Sequence, residues 1–179
     1  MVGFGLQMIL AHVVAYVQEG PKFSLLFAAT ILSTIGAASI AGRLIMGASS
    51  DRIGRKKSIA ICTSIEGIMI LGLLGSSSAT GLYLCAAAYG FGYGGHVPQF
   101  PAMVGELFGF SRLGTILGME MIFYGIGGAL GPFLAGHIFD TTGAYTIAFT
   151  LAALAMLVAA VLSLFLKQPS VTGTHHTLS

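Results

Sequence analysis

Arg43 is the first residue in this chain whose placement suggests chemistry, because it stands inside a long apolar run from Phe23 to Ala48. A guanidinium there could pair bidentately with a carboxylate, and a charged side chain within such a run is by default a functional hypothesis. The competing reading is that Arg43 snorkels to a nearby surface or pairs with Asp51, eight residues on and about 12 Å along a helix. Glu66 and Glu120 also fall in apolar runs. A carboxyl group so placed could carry a proton in a relay, or else make a structural hydrogen bond or pair with loop arginines. His12 and His96 could line a path and titrate near neutrality, or act as packed hydrogen-bond donors. Between two apolar runs lies Gly47-Ala-Ser-Ser-Asp51-Arg52-Ile-Gly54-Arg55-Lys56-Lys57. Gly54 permits a tight turn, and Asp51 can accept charge-assisted hydrogen bonds from an arginine or a helix amino terminus. Such contacts would latch one helix pair to a neighbour.

Other chemistries find no support. Gly90-Phe-Gly-Tyr-Gly-Gly95 matches the spacing of a dinucleotide fingerprint, but no strand precedes it and no distant acidic partner follows. No serine, histidine and aspartate grouping, H-E-x-x-H motif or cysteine pair points to catalysis, a cofactor or a metal, so an enzyme is not expected. Cys62 and Cys85 read as small buried hydrophobes. The formal charge of +2 is too small to suggest a nucleic-acid partner, and the cations concentrate between Arg52 and Lys57.

The elements that position these residues follow from composition. Hydrophobic residues make up 55% of the 179 and charged residues only 8%, where a soluble domain carries about 25% charged residues. With a mean hydropathy of +0.91, the solvent of this chain is lipid. A crossing helix needs about 20 apolar residues, and the sequence divides into six such stretches: 1–19, 23–48, 58–76, 82–104, 114–138 and 145–166. Met1 to Glu19 reads as a span, because it lacks the basic start and small-residue cleavage pattern of a signal peptide. Residues 167–179 read as a loose polar tail.

On one face of this layout fall Arg52, Arg55, Lys56, Lys57, Arg112 and Lys167, against Lys22 alone on the other. The positive-inside rule makes the first face cytoplasmic and puts both chain ends there. Glycine clusters in the spans, at Gly90, Gly92, Gly94 and Gly95, and at Gly125, Gly127, Gly128 and Gly131. Gly114 and Gly118 have the G-x-x-x-G spacing that lets membrane helices approach closely. Pro98, Pro101 and Pro132 lie in the same spans, where bends and unwound turns would be possible.

The run from Gly47 to Lys57 resembles the loop signature of the major facilitator superfamily, a glycine followed by Asp-Arg-x-Gly-Arg-Lys. Further runs are similar to bacterial members near the monocarboxylate porters and oxalate/formate antiporters. These are His12 with Tyr16, Gly42-Arg43-Leu-Ile-Met-Gly47, Gly94-Gly-His-Val-Pro-Gln-Phe-Pro-Ala102, Glu106-Leu-Phe-Gly109, and Gly131-Pro-Phe-Leu-Ala-Gly136 with Phe139-Asp140. The resemblance implies an all-α membrane fold, half of a twelve-helix transporter, with its six spans forming two inverted three-helix repeats. It also implies that the amino-terminal half is missing, with Met1 an internal methionine of a longer protein. Its loop would bias the conformational swing without touching the solute.

In the resembled anion porters an arginine at the place of Arg43 accompanies carboxylate substrates. The oxalate porters add a lysine where this chain has Tyr124, which favours a monocarboxylate over a dicarboxylate. The acidic partner expected in animal monocarboxylate porters is replaced by Ser39. The expectation is therefore a bacterial plasma-membrane transporter of a small organic anion, with Arg43, Tyr124, His12 and His96 on the solute path and Glu66 or Glu120 carrying a proton. A non-transporting assembly or regulatory subunit, or a transporter of another solute class such as sugars or drugs, is the alternative.

Overall fold

The computed structural model describes residues 1–109 and 113–165. The expectations for Arg112, Lys167 and the tail lie outside these residues. Within them the chain forms seven helices: α1 (Val2–Glu19), α2 (Leu25–Ile53), α3 (Arg55–Gly75), α4 (Ala79–His96), α5 (Gln99–Phe108), α6 (Leu113–Thr142) and α7 (Thr146–Phe165). Helices α2, α3, α6 and α7 are each long and apolar enough to cross a membrane. The described residues contain no strand.

Two boundaries differ from the sequence expectation. The polar stretch 49–57 is not a loop: α2 continues through Ile53, α3 starts at Arg55, and Gly54 alone turns the chain, with φ +90°. Charged residues beyond the hydrocarbon edge cost nothing to keep helical, so polarity there marks the end of the lipid and not the end of the helix. The fourth span is not continuous either. Pro98 has no N–H to return to the helix, and the preceding Val97 N–H reaches Tyr93 O only at 3.5 Å, so α4 gives way to the short α5. Pro132, by contrast, sits inside an unbroken α6.

Packing reveals the repeat that self-similarity of sequence does not. Helix α1 packs on α6 as α4 packs on α2, while α3 packs on α7. Exchanging α1–α2–α3 with α4/α5–α6–α7 therefore maps these contacts onto one another. The two units start three crossings apart, so they run in opposite directions and the relating axis lies in the membrane plane.

Glycine seams close both parallel pairs. A Cβ on Gly90 or Gly94 would collide with the carbonyl of Ile35 or Ser39, and one on Gly131 with that of Phe4. These positions let backbone meet backbone, which is how membrane helices gain contact without a hydrophobic driving force. At the far end Tyr16, Tyr145 and Phe149 form a buried aromatic cluster. On α6 Met119, Ile122, Phe123, Ile126 and Phe133 remain exposed, as do Leu26, Ile40 and Leu44 on α2.

Candidate functional site

The Gly54 turn places the amino terminus of α3 beside the last turn of α2, and Arg55 uses all three branches of its guanidinium. Nε donates to Glu106 Oε1 at 2.9 Å, Nη1 to Ser50 Oγ at 2.7 Å and Nη2 to Asp51 Oδ1 at 2.7 Å. Asp51 is one turn before Arg55, whereas Glu106 comes from α5. The arginine thus ties the α2–α3 corner to the segment beyond the Pro98 break. Asp51 was singled out from sequence as a latch; Glu106 as its far end was not, although it lies at the end of the next span on the same side. Arg52 and Lys56 make no ion pair among the described residues.

A cavity of about 420 Å³ opens between α1, the α4–α5 break and α6. Tyr93, His96, Phe100, Glu120, Phe123 and Tyr124 are on its wall. Three residues named from sequence, His96, Glu120 and Tyr124, therefore meet in one place. Glu66 sits directly behind His96: the ring Nδ1 lies 2.5 Å from Glu66 Oε1, with both residues buried. Gly92 makes room for this pair, since a Cβ there would lie 3.0 Å from Glu66 Cγ and 2.7 Å from Cys62 O. Next to it Gln99 Nε2 donates to Ser58 Oγ at 2.8 Å and to Gly95 O at 2.6 Å. Sequence reading assigned Gln99 and Ser58 no role; a glutamine directly after a proline in a span was the available signal.

His12 and Arg43 lie outside that cavity. His12 Nε2 is 3.0 Å from Pro132 O, and Nδ1 is 3.3 Å from the Tyr145 hydroxyl. A carbonyl only accepts, so Nε2 carries the hydrogen, and in the neutral ring Nδ1 accepts from Tyr145. His12 therefore bridges α1, α6 and the start of α7. Arg43 follows Gly42, whose Cβ would meet Phe91 O and Gly95 N of α4. It shares the depth of the Tyr93–His96 layer but is turned about 100° away and is exposed. Among the described residues it makes no ion pair. Its proposed partner Asp51 is engaged by Arg55.

Apolar crossing helices, an inverted repeat and polar groups at a shared cavity define a polytopic helical membrane protein. The chain belongs to the major facilitator superfamily, whose family model matches residues 1–177. It is 30% identical over 143 residues to monocarboxylate transporter 13 of Rattus norvegicus, covering 79% of this chain and 33% of that protein. It is 29% identical to monocarboxylate transporter 12 of the same species, covering 78% and 30%. A third relative, the uncharacterized MFS-type transporter YhjX of Escherichia coli, is 33% identical over 102 residues, 56% of this chain and 25% of that protein. The chain spans about a third of the length of the curated relatives it matches.

Proposed function

We propose that this chain is the carboxy-terminal half of a secondary transporter that moves a small organic anion, a monocarboxylate, by alternating access. The observation that carries the reading is Arg43: a cation within a span, exposed on α2 and without an ion pair among the described residues. An unpaired guanidinium at that depth is costly unless a carboxylate joins it in use. Tyr124 lines the neighbouring cavity, which Arg43 does not, and offers a hydroxyl to a solute that moves on from the arginine. His96 lies at the cavity edge, and His12 serves helix packing through its two hydrogen bonds. Relatives named monocarboxylate transporters support the solute class. The exposed apolar faces of α2 and α6 would pack on the amino-terminal half of the transporter. By the positive-inside rule the cations from Arg52 to Lys57 favour a cytoplasmic side for that corner, and the proposed setting is a bacterial plasma membrane with both chain ends inside. The work done is translocation, with no bond made or broken in the solute.

Uptake of labelled monocarboxylates into proteoliposomes tests this, comparing the chain alone, the chain with a matching amino-terminal half, and that pair carrying Arg43→Ala or Arg43→Lys. Uptake by the pair should fall at least about tenfold with Arg43→Ala and recover only in part with lysine, which lacks the bidentate fork. A well-folded pair that moves no carboxylate would sink the solute assignment.

A further inference from the structure

We infer that Glu66 and His96 form a proton-binding pair opening onto the cavity through the His96 ring, and that a proton held there is the ion coupled to solute movement. The inference rests on the transport reading for its coupling role, though not for its proton chemistry.

Four observations carry it. Glu66 is fully enclosed, 0% exposed, and His96 Nδ1 is its partner at 2.5 Å. Its second oxygen, Oε2, is buried without a hydrogen-bond partner among the described residues. A purely structural carboxylate is expected to have both oxygens satisfied, whereas a protonatable one must pass through a state in which one oxygen is free. The His96 ring, bound to Glu66 on one side, also borders the cavity, so the ring is the path between the carboxyl and the space where a solute would stand. Glu120, on the same wall, likewise has a buried oxygen without a partner, and provides a second carboxyl at which a proton can pause.

The groups facing the pair on each neighbouring element are few. They are Cys62 on α3, Tyr89 and Tyr93 on α4, Gln99 on α5, and Glu120 and Tyr124 on α6 across the cavity. Of α2, Met46 lies against Gly95 and Ser39 against Gly94, its hydroxyl donating to Gly36 O, and of α7, Ala153 and Leu157 lie against Gly67; none of these titrates. No arginine or lysine among the described residues neutralises Glu66, so its charge is governed by His96 and the proton.

The proton balance follows directly. With one proton the pair is neutral, as carboxylate with imidazolium or as acid with imidazole. Release of that proton leaves one negative charge out of water. An anion in the cavity adds a second negative charge nearby, so anion and proton bind best together, and each raises the affinity for the other by the same factor. That reciprocity is what co-transport of an anion with a proton requires.

The test is an infrared titration of the full chain in lipid vesicles, with isotope-labelled histidine, from acid to alkaline pH. A water-excluded carboxyl band and one imidazole signal should titrate together. Glu66→Gln should abolish that band, His96→Asn should move its midpoint, and Glu120→Gln should leave the two signals linked. Circular dichroism monitors folding; if Glu66→Gln fails to fold, Glu66→Asp should keep the linked titration at a shifted midpoint. A carboxyl band unchanged by Glu66→Gln, or a pair that does not titrate, would overturn the proton site. In a transport-competent pair of halves, Glu66→Gln should retain solute exchange between equal pools while gradient-driven accumulation falls about tenfold or more. Accumulation that persists overturns the coupling. Absence of any uptake overturns the transport reading and the coupling with it, while the titration decides proton binding by itself.

Discussion

Removing the Arg55 guanidinium gives the most direct check on the corner that joins α2, α3 and α5. Two of its three bonds go to carboxylates, Asp51 being 64% and Glu106 50% exposed, and the third to Ser50 Oγ, while Arg55 itself is 20% exposed. Ion pairs this open to solvent contribute about 0.5–1 kcal/mol each, so Arg55→Gln should cost the corner about 1–2 kcal/mol, a factor of about 5–30 in a local opening equilibrium. Helix α5 is the segment to feel it: it has ten residues and is cut off from α4 by Pro98. Hydrogen exchange measured by mass spectrometry on peptides covering residues 99–108 should accelerate by that factor. Glu106→Gln should reproduce part of the effect. The double variant should then be less than additive, with a coupling of about 0.5–1 kcal/mol, and molar salt should shrink all three differences. Exchange in α5 that is indifferent to Arg55→Gln, or strictly additive losses, would refute the latch.

Two further outcomes follow from packing. Gly94→Ala should destabilise the domain by about 1–3 kcal/mol, because its Cβ would run into Ser39 O, while Gly36→Ala, with nothing within 4 Å, should leave the thermal midpoint in detergent unchanged; equal effects would discount the α2–α4 seam. Gln99→Leu should cost about 1–3 kcal/mol in the same assay, since it strands Ser58 Oγ and Gly95 O, and a neutral result would mean that this buried amide is not structural.

How much of this was legible in the sequence depended on whether the signal was local. Apolar runs announced the crossing helices, because lipid imposes a length on each of them. Their ends were harder to place. Asp51 and Arg52 looked like loop residues for being charged, yet they lie on the final turn of α2. Pro98 was visible as a possible bend, but an apolar stretch on both sides of it disguised the break. Pairings between helices could not be read at all. Glu66 and His96 were each picked out alone, 30 positions apart, and no spacing rule links residues on separate helices. The same holds for Arg55 and Glu106, 51 positions apart. Arg43 was legible for the opposite reason, since a lone charge in an apolar run needs no partner to be noticed.

The unbroken course of α2 makes it a lever. It runs 29 residues from Leu25 to Ile53, about 43 Å, with Arg43 and Asp51 on the same stiff rod and no slack between them. A tilt of about 10° around its middle carries the Asp51 end through about 3 Å, as much as the whole length of the 2.7 Å bond that Asp51 makes to Arg55. Whatever pulls on Arg43 strongly enough to rock the rod therefore strains the clasp at its end.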